Sequence, residues 1–305
     1  MKTVCLPEGM GKFCLEKDSK IRLEQLEEAM QKQTILEGKV LYCDTEHNLH
    51  VALGTFEGIV PREDCAMGIK EGKVRDIAIL SKVNRPICFT ISSIHTQKEK
   101  PSIVLNRRKV QENFKEAFVN EKEPGDVLDA VVTRLEAFGV FCDIGAGVIA
   151  LLPIDHICVS RIPHPKARFF VGQHIKVVLK SIDAEGKITL SHKELLGTWL
   201  ENAAKFAVGE TVPGIVRSIE TYGIFIELAP NLAGLAEWSP DVEVGECASV
   251  YIKSMHPEKM KIKLILIDHF AKATENFSYV YPAISHIDAW EYSPKNAEKN
   301  IQSVF

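Results

Sequence analysis

Residues 125–152 read GDVLDAVVTRLEAFGVFCDIGAGVIALL, and residues 209–236, eighty-four positions later, read GETVPGIVRSIETYGIFIELAPNLAGLA. Each stretch opens with Gly and an acidic residue, runs through apolar and β-branched positions, and makes an aromatic-Gly-x-Phe step. Each then ends in a second apolar run and a small-residue turn. A whole folding unit is repeated, which points to a surface presented several times rather than to one catalytic cleft.

Working outward from the first copy, Val127 to Leu135 reads as a strand and Phe138 to Ile144 as a second, with a glycine turn at 145–147. A third run, Val148 to Ile154, ends near Pro153. After a loop holding Arg161, Pro163, His164 and Pro165, two more strands are expected at Ile175 to Ile182 and Ile188 to Ser191, around a turn at 183–186. Five short strands with glycine at the corners suit a small closed barrel, which removes its own edges and lets units follow one another along a chain. Gly139 and Gly223 are expected at bends where a side chain would hinder curvature.

The 305 residues, 46% hydrophobic and 26% charged, leave room for two or three globular domains. The eight cysteines form no CxxC pair and mostly sit in apolar runs, so reduced thiols are expected rather than a disulfide or zinc framework. No apolar stretch near the N-terminus has the length of a signal peptide or membrane span, so a cytoplasmic protein without a membrane partner is expected. A net charge of −4 argues against clinging to duplex nucleic acid by bulk positive charge. By segment the balance is +3 over 36–109, 0 over 124–194 and −4 over 208–268. These sums place any electrostatic attraction for RNA in the first two units and leave the third dependent on stacking or on a protein partner.

The pattern resembles the RNA-binding OB-fold repeat of the bacterial small-subunit ribosomal protein S1 family. Its carriers in the second unit are Gly125-Asp126, Phe138-Gly139-x-Phe141, Val171-Gly172-Gln173, Asp183 with Lys187, and Leu190-Ser191-His192-Lys193. The third unit carries Gly209-Glu210, Tyr222-Gly223-x-Phe225, Gly234-Leu235 and Met260 to Leu264. Lys193-x-Leu195 with Trp199 and Phe206 is similar to the connector between repeats, with Thr198 where proline is usual. A first unit is more diverged: Glu37 to Val40 opens it, Asn48 to Gly54 and Gly58 to Pro61 match the second and third strands, and Val83 to Pro86 precedes a fourth. Val104 to Lys109 closes it. Aligned on the turn glycine, His47-Asn48-x-His50 stands where Phe138-Gly139-x-Phe141 does, and Asn48 tolerates the left-handed backbone expected there. The weakened aromatic platform suggests that this unit docks to a protein.

The resemblance implies an all-β dominated chain of three tandem five-stranded OB-fold barrels joined by short helices, with an N-terminal helix. The expected division is an N-terminal helical segment at 1–35, a diverged first repeat at 36–109, a helical linker at 110–123 and a second repeat at 124–194. A second linker follows at 195–207, then a third repeat at 208–268 and an aromatic tail at 269–305. Helices are read at 19–32, where Ile21, Leu23, Leu26, Ala29 and Met30 fall near helical spacing, at 109–120 and at 194–206. Trp199 is assigned to burial between units. The tail, with Phe277, Tyr279, Tyr281, Trp290 and Tyr292, is suited to packing on the third barrel or to anchoring a partner.

Single-stranded RNA exposes flat base faces, and an aromatic ring held on a strand can stack on one for roughly 1–3 kcal/mol. Phe138 and Phe141 are the candidates in the second unit, Tyr222 and Phe225 in the third; the competing role for all four is core packing. Positions 138 and 141 would face opposite ways in an unbroken strand, so a bend at Gly139 is expected to bring both outward. By the family pattern Asp183 and Lys187, with Lys261 in the third unit, contact phosphate, ribose or base, and Arg134, Arg161, His164 and Lys176 are candidate backbone contacts. A family histidine after the third strand is replaced by Pro61, Pro153 and Glu237 in turn, and Glu237 would repel phosphate. No phosphate-cradling loop, HExxH or paired metal-ligand motif occurs, and the grouping of Asp155, His156 and Cys158 reads as structural. The expectation is a non-enzymatic protein, without cofactor or metal, that holds single-stranded mRNA in translation at the small ribosomal subunit or with other translation components. The alternative is a protein-binding adaptor in transcription or RNA turnover.

Overall fold

The computed structural model describes residues 6–11, 14–15, 19–96, 101–271 and 279–305. In chain order the first elements are β1 (Cys14–Leu15), α1 (Leu23–Gln31), β2 (Leu36–Cys43), β3 (Leu49–Leu53), β4 (Phe56–Val60), α2 (Ile77–Leu80), β5 (Pro86–His95), β6 (Ser102–Asn106) and α3 (Arg108–Glu121). The second barrel comprises β7 (Val127–Glu136), β8 (Gly139–Asp143), β9 (Ile149–Pro153), β10 (His174–Ile182) and β11 (Ile188–Ser191). After α4 (Trp199–Ala203) come β12 (Thr211–Glu220), β13 (Gly223–Ala229), β14 (Leu232–Ala236), β15 (Cys247–His256) and β16 (Lys261–Phe270), then a hairpin of β17 (Ala289–Glu291) and β18 (Gln302–Val304).

Three five-stranded barrels close in one order: β2-β3-β4-β6-β5, β7-β8-β9-β11-β10 and β12-β13-β14-β16-β15. In each, the third and fifth strands pair in parallel. Bulges recur at matched places. They interrupt the first strand between Val40 and Tyr42 and between Val216 and Ser218, and the fourth between Ile91 and Ser93, Leu179 and Ser181, and Ile252 and Ser254. An extra residue raises local twist, which lets so few strands close. Alternation fills each interior: Val40, Leu49, Val51 and Phe89 in the first barrel, Val140, Cys142 and Leu152 in the second, Ile224, Ile226 and Val250 in the third are all fully buried. Six cysteines, at 43, 65, 88, 142, 158 and 247, are free thiols.

The chain forms two compact units. One consists of 1–122 with 143–149, the other of 123–142 with 150–305. In the first, α1 lays Leu26, Ile21, Ala29 and Met30 on the barrel core, as the helical spacing predicts. Its polar centre was not legible in sequence: the Glu8 carboxylate accepts from Arg107 Nε (2.7 Å) and Nη2 (3.0 Å), Lys82 Nζ (2.8 Å) and the Cys88 amide (3.2 Å). Burial pushes this carboxyl up, but the adjacent Arg107 and Lys82 charges outweigh it and hold it at about 2.

In the second unit the expected helix over 194–206 is broken. A 3-10 turn at Lys193–Leu196 ends at Gly197 in the left-handed region (φ 78°), and α4 starts afresh behind Thr198. The Thr198 hydroxyl accepts from the Glu201 amide (3.2 Å) while Glu201 accepts from the Thr198 amide (2.7 Å), a reciprocal cap that explains threonine at a position where proline is usual. Trp199 is 2% exposed and, with Trp290 and Tyr292 of the tail, belongs to the core of the third barrel. Tyr279 and Tyr281 instead close around His192, Tyr281 Oη lying 3.0 Å from His192 Nε2 and Tyr279 Oη donating to the Arg168 carbonyl (3.2 Å). Phe277, read with the tail, lies outside the described residues. Buried Glu227 is bonded by both Arg168 and Arg217, a charge-compensated cluster that the linear sequence does not announce.

Candidate nucleic-acid interface

The four candidate rings stand outside the barrel cores. Phe138 is 56% and Tyr222 67% exposed, while Phe141 and Phe225 are half-buried on the outer face because their neighbours Val140, Cys142, Ile224 and Ile226 take the inner one. The second and third barrels hold their pairs alike: Phe138 and Phe141 have centroids 5.9 Å apart at 88°, Tyr222 and Phe225 6.1 Å apart at 89°. Each is an edge-to-face pair whose first ring is exposed.

The odd spacing is resolved by the turn, not by a bend inside a strand. Phe138 and Tyr222 lie just before β8 and β13, where strand alternation does not yet apply. The glycines serve close approach: a Cβ on Gly139 would come 2.5 Å from the Leu152 carbonyl oxygen, and one on Gly223 2.4 Å from that of Ala236. Only glycine lets the ring-bearing strand lie this near its neighbour.

Strand pairing places a row of outward residues across each barrel. In the third it runs Ser218, Phe225, Leu235, Lys263, and in the first Tyr42, His50, Ile59, Val104. In the second, Leu151 pairs with Thr189 at the corresponding step beyond Phe141. Lys263 was missed in sequence; its signal is the alternation Lys261-Ile262-Lys263-Leu264, buried at the even positions.

The cations predicted for the second barrel are mostly engaged. The Arg134 guanidinium sits 4.6 Å from the Phe141 centroid and its Nε 3.1 Å from Glu136. Lys176 Nζ is 2.9 Å from Asp129, on the β7–β10 ladder rather than on the ring row, and Lys187 Nζ is 2.6 Å from Glu185. Asp183 shapes its turn, its Oδ1 accepting from the Glu185 (2.9 Å) and Lys187 (2.8 Å) amides. His164 Nδ1 accepts from the Lys166 amide (3.0 Å), Arg161 is exposed, and Lys261 is exposed at the start of β16. Lys180, on β10 of the same barrel, lies 2.9 Å from His156 Nε2; burial and then the Lys180 charge lower the pKa of that histidine.

The first barrel departs further than its sequence suggests. The left-handed residue is His47 (φ 65°), not Asn48, because Asn48 already belongs to the hairpin ladder: the Asp44 amide donates to its carbonyl (3.1 Å) and its own amide donates to Asp44 Oδ1 (2.9 Å). His50, at the Phe141 position, stacks on Tyr42 with centroids 4.2 Å apart at 13°. It is flanked by Glu57 (2.6 Å) and Asp44 (3.3 Å). Hydrogen bonds from Asn48 hold the Asp44 carboxyl at about 2. Among the described residues the one group of three metal-capable side chains is Glu123, Asp126 and His286, in which His286 Nδ1 pairs with Asp126 (2.9 Å) at the entrance to β7. No helix among the described residues is long and apolar enough to cross a membrane.

A family model described as S1 RNA binding domain matches residues 121–193. The small ribosomal subunit protein bS1 of Rhodopseudomonas palustris is 30% identical over 264 residues, 84% of this chain and 44% of that protein. The bS1 homolog of Bacillus cereus is 31% identical over 214 residues, 64% of this chain and 56% of that protein. Among solved structures, GSP13 from Bacillus subtilis aligns at 29% identity over 23% of this chain and 55% of its own, with a TM-score of 0.22. The chain thus spans about half the length of the curated relatives it matches, and with its repeated barrels it matches the bacterial ribosomal protein bS1 family of tandem OB-fold repeats.

Proposed function

We propose that the chain binds single-stranded RNA by stacking bases on two ring pairs, Phe138 with Phe141 and Tyr222 with Phe225, and that it does so on mRNA in translation at the small ribosomal subunit. The observation that carries this reading is the twofold occurrence of one outward edge-to-face pair on equivalent strands. Rings fixed by a barrel lose little freedom when a base stacks on them, and stacking tolerates any base. Arg134 adds a cation over Phe141; Lys187, Arg161, His164, Lys176 and Lys261 are assigned as peripheral contacts to the RNA backbone, and Asp183 as an acceptor for a ribose or base donor. Residues 124–194 and 208–268 act as the RNA-binding repeats. Residues 36–109 act as a docking module, a role supported by the carboxylates that flank His50. The names of the relatives, small ribosomal subunit proteins, support the translational setting and hence the cytoplasm.

The test replaces all four rings by Ala and titrates the full chain with an unstructured oligoribonucleotide. Circular dichroism is expected to stay unchanged while affinity falls by about five-fold to more than a hundred-fold per lost stack. Unchanged affinity with the fold intact would refute the stacking surface. A pull-down of partners insensitive to nuclease, with no RNA affinity at moderate salt, would favour the adaptor role instead.

A further inference from the structure

The third barrel carries the most acidic segment of the chain, yet its ring row ends in a lysine. Leu235 pairs with Phe225 on one side and with Lys263 on the other, so Lys263 stands two strand spacings, roughly 10 Å, from the ring. The corresponding position is Thr189 in the second barrel and Val104 in the first. Lys261 and Lys263 both point outward from β16, and neither is paired with a carboxylate among the described residues. In the second barrel, by contrast, Arg134, Lys176 and Lys187 each already face one.

Four of the nine acidic residues of the third barrel are engaged away from the ring row. Glu227 is buried between Arg168 and Arg217, and the Glu246 carboxylate is 3.0 Å from His269 and accepts from the Glu243 amide. Glu210 accepts from the Ala207 amide (2.8 Å) and Glu258 lies 3.5 Å from His256. Glu237 is exposed, but it follows Ala236, the partner of Ile224, and so stands toward the Tyr222 end of the row.

We infer that Lys263, with Lys261 beside it, is a phosphate-binding residue of the third barrel, and that this barrel therefore holds single-stranded RNA through an electrostatic contact as well as through its rings. The inference rests on the stacking reading above. A lysine is a flexible point charge suited to following a phosphate whose position depends on which base has stacked. Each phosphate so neutralised releases counterions, and for a single strand this steepens the dependence of log affinity on log salt by about 0.7.

The test uses the full chain with Phe138→Ala and Phe141→Ala, so that the third barrel dominates binding. Fluorescence anisotropy of a labelled oligouridylate is followed over a series of salt concentrations. Lys263→Thr, the residue of the second barrel, is expected to make the slope shallower by about 0.7, and Lys263→Arg to restore it. An unchanged slope in Lys263→Thr, while Tyr222→Ala with Phe225→Ala weakens binding, would overturn the role of Lys263 and leave the stacking surface standing. If the ring variants also change nothing, the stacking reading falls and this inference with it.

Discussion

His192 offers a quantitative test of how the tail is built into the second unit. Its ring is fully buried, with Nδ1 3.0 Å from the Ile157 carbonyl and Nε2 3.0 Å from Tyr281 Oη, and Phe169, Tyr279 and Tyr281 pack around it. A neutral imidazole satisfies both contacts, donating from Nδ1 and accepting the tyrosine hydroxyl at Nε2. Burial, followed by the nearby Arg168 charge, lowers its pKa from 6.5 to about 4. The folded pKa lies below the unfolded one, so between about 4 and 6.5 the unfolded chain takes up the proton more readily. Stability is therefore complete above pH 6.5 and is lost as pH falls toward 4, by roughly 3 kcal/mol in all. For a unit of this size that corresponds to a fall of roughly 10 °C in the midpoint of thermal unfolding. The perturbation is His192→Gln, which costs stability at every pH but cannot titrate. Calorimetry of both proteins from pH 7 to 4 is expected to show the gap between them narrowing by about 3 kcal/mol on acidification. Parallel profiles across that window would refute the argument that the tail keeps this ring neutral.

Three further outcomes follow from local geometry. Glu8→Gln strands the buried Arg107 guanidinium and is expected to cost about 3–5 kcal/mol, read as lost hydrogen-exchange protection in β3 and β6; in the parent chain the same contribution is lost as pH falls from 4.5 toward 2. Gly223→Ala drives a Cβ onto the Ala236 carbonyl at a φ of 149° and should cost roughly 1–3 kcal/mol in thermal unfolding, whereas Gly172→Ala, with open space around it, should cost only its left-handed strain of about 1 kcal/mol. Thr198→Ala removes the cap of α4 and is expected to lower stability by about 0.5–2 kcal/mol in denaturant titration.

The barrels were legible because each strand has a two-residue period and each corner a glycine, signals that need no knowledge of partners. Expected strands at 127–135, 175–182 and 188–191 fall within a residue of those observed at Val127–Glu136, His174–Ile182 and Ile188–Ser191. Features set by contacts between distant residues were not legible. The break in the linker at Gly197 is a matter of one backbone dihedral, and glycine is compatible with a helix as well as with its end. The left-handed residue of the first hairpin moved from Asn48 to His47 because the ladder bonds of Asp44 claimed Asn48. Glu8 reads as a solvated N-terminal acid until folding brings Arg107, ninety-nine positions away, against it.

Charge shows the same division between composition and placement, and it decides how the three faces differ. A balance of +3 made the first unit look receptive to RNA, yet its ring row holds His50 between Asp44 and Glu57, while Arg62 pairs with Asp76 and Arg107 is buried on Glu8. A balance of −4 made the third look repellent, yet its buried Glu227 is compensated and its row ends in an outward lysine. Screening at physiological salt reduces the influence of charges beyond about 8 Å, so a bound strand responds to the few groups along its path rather than to the sum over a barrel. Those groups are chosen by strand register. In β16 the two-residue alternation that sends Ile262 and Leu264 inward necessarily sends Lys261 and Lys263 out, so the packing that closes the barrel also sets the charge of its outer face.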